Sequence, residues 1–262
     1  DTEMFYDTGK PKCSEKCDPS CDCGKYLEIW NDVFMEYYRD EEGNLTKLKQ
    51  QNVDTGMGLE RIITVLNGYE SVYDTDIFQN LKEKLEQLSN KKYEDNKKSF
   101  RIIMDHIRTS TFILGDDHGI TPSNIGAGYV LRRLIRRAIR HLRKLDLMEN
   151  SLMDLARVVI SDYKDIYTEL EKNRDFIITE LEKEGIKFGK TIKDGEKLFY
   201  KVIKHLDGDT ISGEDAFKLF DTFGFPLEMT QELARENDLK VDIKGFEEKF
   251  KVHQEKSRTI DA

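Results

Sequence analysis

An α+β fold is predicted, strand-bearing at the N-terminal end and mainly helical beyond it. Three observations predict this. Aromatic and β-branched runs, Met4-Phe5-Tyr6 and residues 29–38, are of the kind that form strands. From Phe100 onward apolar residues recur at helical spacing. Between these regions residues 89–99 are rich in Asn, Lys and Asp, which sets a boundary between a domain at 1–88 and one at 89–262.

The 262 residues suffice for one or two domains with a sizeable core. Charged residues make up 35% and prolines number four, a composition that favours long solvated helices. The net charge of −9 does not by itself advertise a polyanion partner, but its distribution does. Residues 97–144 carry eleven Lys and Arg against three Asp, a local net of +8. No apolar run reaches the roughly 18 residues that a membrane span needs. No signal peptide opens the chain, and Asp1 to Tyr6 reads as the middle of a strand. The expectation is an excised piece of a longer protein.

Taken in order, Asp40-Glu41-Glu42-Gly43-Asn44 is a turn signal, and residues 45–48 predict the returning strand. Val53-Asp54-Thr55-Gly56-Met57-Gly58-Leu59-Glu60-Arg61 predicts a strand end, a tight glycine turn and a helix start. Glycines at 56 and 58 let backbone approach a ligand, since no Cβ intervenes. Asp54 suits an ammonium, and Arg61, about one turn into the helix, suits a phosphate near the helix N-terminus. A plain glycine turn with solvated charges fits the same spacing. The string is neither a Walker loop nor a GxGxxG fingerprint. The helix at 57–66 stops at Asn67-Gly68.

All four cysteines fall within eleven residues, Cys13, Cys17, Cys21 and Cys23. Four thiols with no others to pair with point to a tetrahedral zinc site or two local disulfides. A solvated cysteine-bearing loop is the third reading, because the spacing is not that of CxxC pairs.

Residues 100–114 form a helix whose His106 is read as packed or hydrogen-bonded rather than ligating. After a loop at 115–128, residues 129–145 make the clearest helix. On a wheel of about 100° per residue, Val130, Leu131, Leu134, Ile135, Ala138, Ile139, Leu142 and Leu145 fill one half. Arg132, Arg133, Arg136, Arg137, Arg140, Arg143 and Lys144 fill the other. A solvated face usually mixes signs, and this one does not. Seven cations repel one another unless neutralised, by RNA phosphates or by the protein's own carboxylates. Residues 151–206 read as long helices broken near Gly185, Gly189 and Gly195, with mixed charge and a scaffold role. Ser212-Gly213-Glu214-Asp215 is a loose capping box opening a helix at 216–220. Pro226 fits a first helical turn, and residues 246–258 a charged terminal helix.

The string DTGMGLER at 54–61 resembles motif 3 of the class II aminoacyl-tRNA synthetases, in the wording of the alanyl branch. Residues 26–34 (YLEIWNDVF), 73–78 (YDTDIF), 122–124 (PSN), 128–133 (GYVLRR) and 221–226 (DTFGFP) resemble the same family, in its order and over nearly the whole chain. The resemblance implies a partial class II antiparallel sheet ending in the motif 3 helix, followed by a helical tRNA-recognition domain. It implies an ATP-dependent ligase that activates alanine and passes it to the 3′ end of its tRNA. ATP with Mg2+, alanine and the acceptor stem are the implied ligands, and the setting cytoplasmic, which argues against disulfides and favours a structural Zn2+ on the four cysteines. Asp54 and Asn31 would bind alanine. Gly56, Gly58 and Arg61 would bind ATP. Asn124 and Asp221 would read a G·U pair in the stem, with Arg132, Arg133, Arg136, Arg137 and Arg140 along RNA phosphates. From residue type alone, Asn124 also fits a helix cap and Asp221 a turn before Pro226. Counterparts of the family's upstream motifs are absent, so the piece alone is expected not to form an adenylate; those motifs and a downstream editing domain would belong to the parent. None of the five histidines has the HxxxH spacing of the family's editing site. The competing reading is an RNA-binding module with a vestigial nucleotide site.

Overall fold

In the computed structural model the backbone is described for residues 1–260 and side chains for residues 1–253. The chain divides into two compact units, residues 1–80 and the residues from 81 on. The division lies before the composition change at 89–99, so most of α2 (Gln79–Ser89) groups with the helical unit.

In the first unit β1 (Thr2–Asp7), β2 (Tyr26–Arg39) and β3 (Leu45–Met57) form an antiparallel sheet in the order β1-β2-β3. Register shifts interrupt the ladders at Met4/Phe5 and Met35/Tyr37. The expected turn closes through Asp40, whose Oδ1 accepts from the Asn44 amide at 2.7 Å. Its Gly43 has φ +88°, which a residue with a Cβ rarely adopts. The predicted tight turn at Gly56 and Gly58 is not formed. Gly56 lies inside β3, opposite Asn31. Gly58 alone joins β3 to α1 (Leu59–Leu66), at φ −76° and ψ 115°. Strand therefore passes straight into helix.

The second unit is helical: α3 (Lys97–Gly115), α4 (Gly126–Lys144), α5 (Ser151–Tyr163), α6 (Thr168–Lys172), α7 (Arg174–Lys204), α8 (Gly213–Phe223), α9 (Leu227–Arg235) and α10 (Ile243–Ile260). A short parallel pair, β4 (Thr210–Ile211) with β5 (Lys240–Val241), ties the ends of α7 and α9. The periodic apolar residues do form the core: Phe100, Ile103 and Met104 of α3, Leu131, Ile135 and Ile139 of α4, and Phe188, Ile192 and Phe199 of α7 are all buried. Ser212 caps α8 as predicted, its Oγ accepting from the Asp215 amide at 3.0 Å. Pro226 immediately precedes α9.

The predicted breaks in α7 are absent; the helix runs unbroken for 31 residues. Its glycines are contact points. A Cβ at Gly195 would stand 2.2 Å from the Phe225 ring, and one at Gly189 2.4 Å from the Glu149 carboxylate. Neighbouring groups occupy the space that a side chain would take.

Candidate substrate and nucleic-acid sites

Strand register builds the first candidate site. Asn31 faces Gly56 and Val33 faces Asp54 across the β2–β3 ladder. Side chains alternate along a strand, so Asn31, Val33, Asp54 and the Cβ-less Gly56 share one face. A Cβ built on Gly56 would meet nothing within 4 Å, so this face is open above it. Asn31 Nδ2 donates to Glu3 Oε1 at 3.3 Å, while its buried Oδ1 has no hydrogen-bond partner. Trp30, Asp32 and Thr55 occupy the opposite face, where Thr55 Oγ1 donates to Asp32 Oδ1 at 2.6 Å. On α1, Arg61 donates to the Glu28 carbonyl at 2.9 Å and to its carboxylate at 3.3 Å. The guanidinium is thereby held against β2, with its side chain 45% exposed.

The second candidate is a cleft of roughly 200 Å³ in the helical unit, lined in part by Asn124, Tyr129, Arg132, Lys187, Asp221 and His253. Asn124 and Asp221, 97 positions apart, therefore reach the same cavity. Asn124 caps no helix. Ile125 takes the position before α4, and the Asn124 Oδ1 accepts from Arg132. A second nitrogen of Arg132 donates to the Pro122 carbonyl at 3.1 Å. Asp221 lies within α8 rather than in the turn after it, 3.7 Å from His253 Nδ1. The turn is made by Gly224, at φ +70°, whose carbonyl accepts from Arg136. Its absent Cβ would fall 2.2 Å from that guanidinium. Burial pushes the Tyr129 hydroxyl up to about 12.

The arginine face of α4 lies against the protein's own carboxylates, the alternative to RNA phosphates that its charge pattern left open. Arg132, Arg136 and Arg140 are buried, and all three meet carboxylates. Glu184 of α7 sits 3.3 Å from Arg132 and 2.6 Å from Arg136. Glu232 of α9 takes Arg137 at 3.0 Å and Arg140 at 3.5 Å, and Glu236 also pairs with Arg140. Arg133 pairs with Glu228, and Arg143 with Glu149 at 3.2 Å. A charge taken from water requires such a partner, so these guanidiniums are spoken for inside the protein. Of the five assigned to RNA, Arg133 and Arg137 alone keep about a third of their side-chain surface exposed, 34% each. His106 is hydrogen-bonded as expected, to Asp105 at 2.9 Å and Arg137 at 3.2 Å.

A family model described as tRNA synthetases class II (A) matches residues 1–261. The chain belongs to this class II synthetase family. Among curated relatives, the alanine–tRNA ligase of Borrelia hermsii is 54% identical over 261 residues, covering 98% of this chain and 44% of that protein. That of Treponema pallidum is 52% identical over 264 residues with the same coverage. That of Natranaerobius thermophilus is 44% identical over 265 residues and 30% of its length. The chain thus spans less than half the length of the relatives it matches. No helix among the described residues is long and apolar enough to cross a membrane.

In this family member the loop between β1 and β2 gathers its cysteines. The loop is closed at its neck by Lys25, 2.8 Å from Asp7, and by the Thr8 amide donating to the Lys25 carbonyl at 2.8 Å. All four thiols are free in this structure. The sulfurs of Cys13, Cys17 and Cys23 lie within 4.8 Å of one another, and those of Cys17 and Cys23 are 3.6 Å apart. Cys21 stands outside the triad. Hydrogen bonding by Cys17, then Cys23, pushes the Cys13 thiol up to about 12, with a smaller push from Cys21. A tetrahedral thiolate site with bonds of about 2.3 Å spaces its sulfurs about 3.8 Å apart, so the donor set fits a zinc ion after a small contraction.

Sequence reasoning passed over Lys187. It reaches the Asn124–Asp221 cleft from α7, a helix read as scaffold. The spacing of the lysines along that helix was the available signal.

Proposed function

We propose that the chain supplies the amino-acid-binding sheet face and the acceptor-stem reading unit of an alanine–tRNA ligase. That enzyme joins alanine to ATP, with Mg2+ accompanying the nucleotide, and passes alanine to the 3′ end of its tRNA. The observation that carries the reading is the meeting of Asn124 and Asp221 in one cleft. On the sheet, Asp54 would take the alanine ammonium and the unpartnered Oδ1 of Asn31 a second of its protons. Gly56 would let substrate lie on the strand, Gly58 would bring the first amides of α1 close to ATP, and Arg61 would face the phosphates. Such a site works by position and charge rather than covalent help. Cys13, Cys17 and Cys23, with Cys21 as the fourth donor, would hold a structural Zn2+ that fixes the loop between β1 and β2.

In the cleft the Asn124 carbonyl oxygen is engaged by Arg132, which leaves its amide NH2 to donate. Asp221 accepts. A wobble pair leaves the guanine amino group free in the minor groove, and a carboxylate is its complement. Asn124→Ala and Asp221→Ala are each expected to lose roughly 1–3 kcal/mol of discrimination between G·U and G·C stem hairpins, with little change in melting temperature for Asp221→Ala, whereas Asn124→Ala also takes an acceptor from the buried Arg132. Early-melting variants that still prefer the G·U stem would make both residues structural.

A second reading, an RNA-binding module with a vestigial nucleotide site, is favoured by two observations, the first being that Glu28 already engages Arg61. Asp54 also sits exposed on an open face, where its charge is weakened by water. Alanine-dependent pyrophosphate exchange is therefore expected to be absent from this chain alone and present in the full-length ligase. Absence from both would leave the module.

A further inference from the structure

Lys183, Lys187, Lys190, Lys193, Lys197, Lys201 and Lys204 follow one another along α7 at steps of four, three, three, four, four and three. At about 100° per residue they occupy an arc of about 120°. That arc lies opposite the buried Phe188, Ile192 and Phe199. All seven lysines are exposed. At about 1.5 Å per residue the stripe is about 32 Å long, with a cation every 4.5–6 Å or so.

Neighbouring like charges at these spacings destabilise a helix, so the stripe is not a product of helix propensity. Lys183 and Lys197 have carboxylates, Glu180 at 2.7 Å and Asp194 at 2.9 Å. Lys201 and Lys204 lie in the last turn, where cations favour the helix dipole. Lys187, Lys190 and Lys193 have neither reason to be there; none has an ion-pair partner among the described residues. Lys187 lines the cleft that holds Asn124 and Asp221, so the stripe leads away from that cleft. The contrast with α4 is direct: Arg132, Arg136 and Arg140 are buried against glutamates, whereas these ammoniums stand in solvent.

We propose that the α7 lysine stripe is a phosphate track, holding the backbone of the RNA stem whose end is read in the cleft. This rests on the reading of the cleft as an RNA site. Lysine suits such a track, because a mobile point charge neutralises phosphate without reading sequence. The decisive experiment measures binding of the 262-residue chain to G·U and G·C acceptor-stem hairpins across a salt series from about 50 to 300 mM. Lys187→Gln, Lys190→Gln and Lys193→Gln together should weaken both stems alike, by tenfold or more at the low-salt end. The slope of log affinity against log salt should fall by roughly 2, at 0.7–0.9 per lost contact, with helicity intact. Arginine at the same three positions should restore both quantities. An unchanged slope and affinity in the glutamine variant would overturn the track. If the slope is unchanged while Asn124→Ala loses stem discrimination, the cleft reading survives and the stripe alone falls. A reduced slope with no stem discrimination by any protein supports the track and removes the wobble reading. No binding of the wild-type chain to either stem at about 50 mM salt removes both. Loss of affinity for phosphatidylserine vesicles with RNA binding unchanged would overturn the RNA assignment in favour of a membrane.

Discussion

The strand unit leaves large apolar side chains in water, while the helical unit takes charged ones inside. Phe34, Tyr37, Tyr38, Leu45 and Val53 of the sheet are each more than half exposed, and among residues 1–80 the buried apolar side chains are Cys17 and Phe78. In the helical unit Arg140 is 1% exposed and Glu184 5%. The strand unit therefore gains little from packing, and its proposed chemistry depends on what covers the sheet. The helical unit is organised by ion pairs whose partners are obligatory. A charge in one unit should be worth far more to folding than a charge in the other.

The sharpest way to break that comparison is Glu184→Gln. It would leave Arg132 and Arg136 buried without their carboxylate, and chemical denaturation should show a loss of about 3–5 kcal/mol. Cost below about 1 kcal/mol would mean that water, not Glu184, satisfies these guanidiniums.

Acid should act on the same unit. Burial alone would raise the Glu232 carboxyl, but hydrogen bonds from His141 and Arg137 outweigh it and hold it well below the usual range. Glu236 is likewise raised by burial and lowered more by Arg140 and Lys144, to about 2 from an ordinary 4.5. Both groups bind protons more weakly folded than unfolded, so their stabilisation is fully present above about pH 4.5 and is lost as pH falls toward 2. Helical circular dichroism over that window should fall with pH, and Glu236→Gln should flatten the dependence.

Two glycines of α7 give a smaller, signed test. Alanine gains about 1 kcal/mol of helix propensity at either position. At Gly195 its methyl would strike the buried Phe225 ring, with an overpacking cost of roughly 1–3 kcal/mol, so Gly195→Ala should be net destabilising. At Gly185 the nearest atom would be 3.6 Å away, ordinary contact, and Gly185→Ala should stabilise by up to about 1 kcal/mol. Equal effects on the two melting temperatures would contradict the contact geometry.

The smallest effect is expected at Asp54. Asp54→Asn removes a charge from an exposed strand position and should change stability by less than about 0.5 kcal/mol. In the full-length ligase it should nevertheless abolish measurable alanine activation. A large stability loss would mean that Asp54 is a structural partner in the sheet.

Much of the fold could be read from periodicity. The α3 and α4 stripes, the Ser212 cap and the turn at Asp40 all follow local rules. The α7 glycines misled because a glycine's cost to a helix is visible in sequence, while the ring or carboxylate that needs its space is not. The arginine face stayed open between two readings for a related reason. Glu184 lies 48 positions from Arg136, and Glu232 lies 95 from Arg137, so local charge counting saw only cations. The sheet site was half legible: alternation groups Asn31 with Val33 and Asp54 with Gly56, but the ladder register alone puts both pairs on one face. Nothing in local spacing joins Asn124 to Asp221; the family strings singled them out, and the fold brings them to one cavity.

Asn124 is held by Arg132, which also donates to the Pro122 carbonyl and lies 3.3 Å from the buried Glu184. On the proposed reading of the cleft, the amide would not have to be ordered when RNA arrives. A free side chain immobilised on binding loses on the order of 0.5–1.5 kcal/mol of rotamer entropy, and here folding has already met that loss. Fidelity would then be inherited from the interior. A drift at position 184, where no nucleotide reaches, would slacken the reader and erode the choice of tRNA while leaving every base-facing residue unchanged.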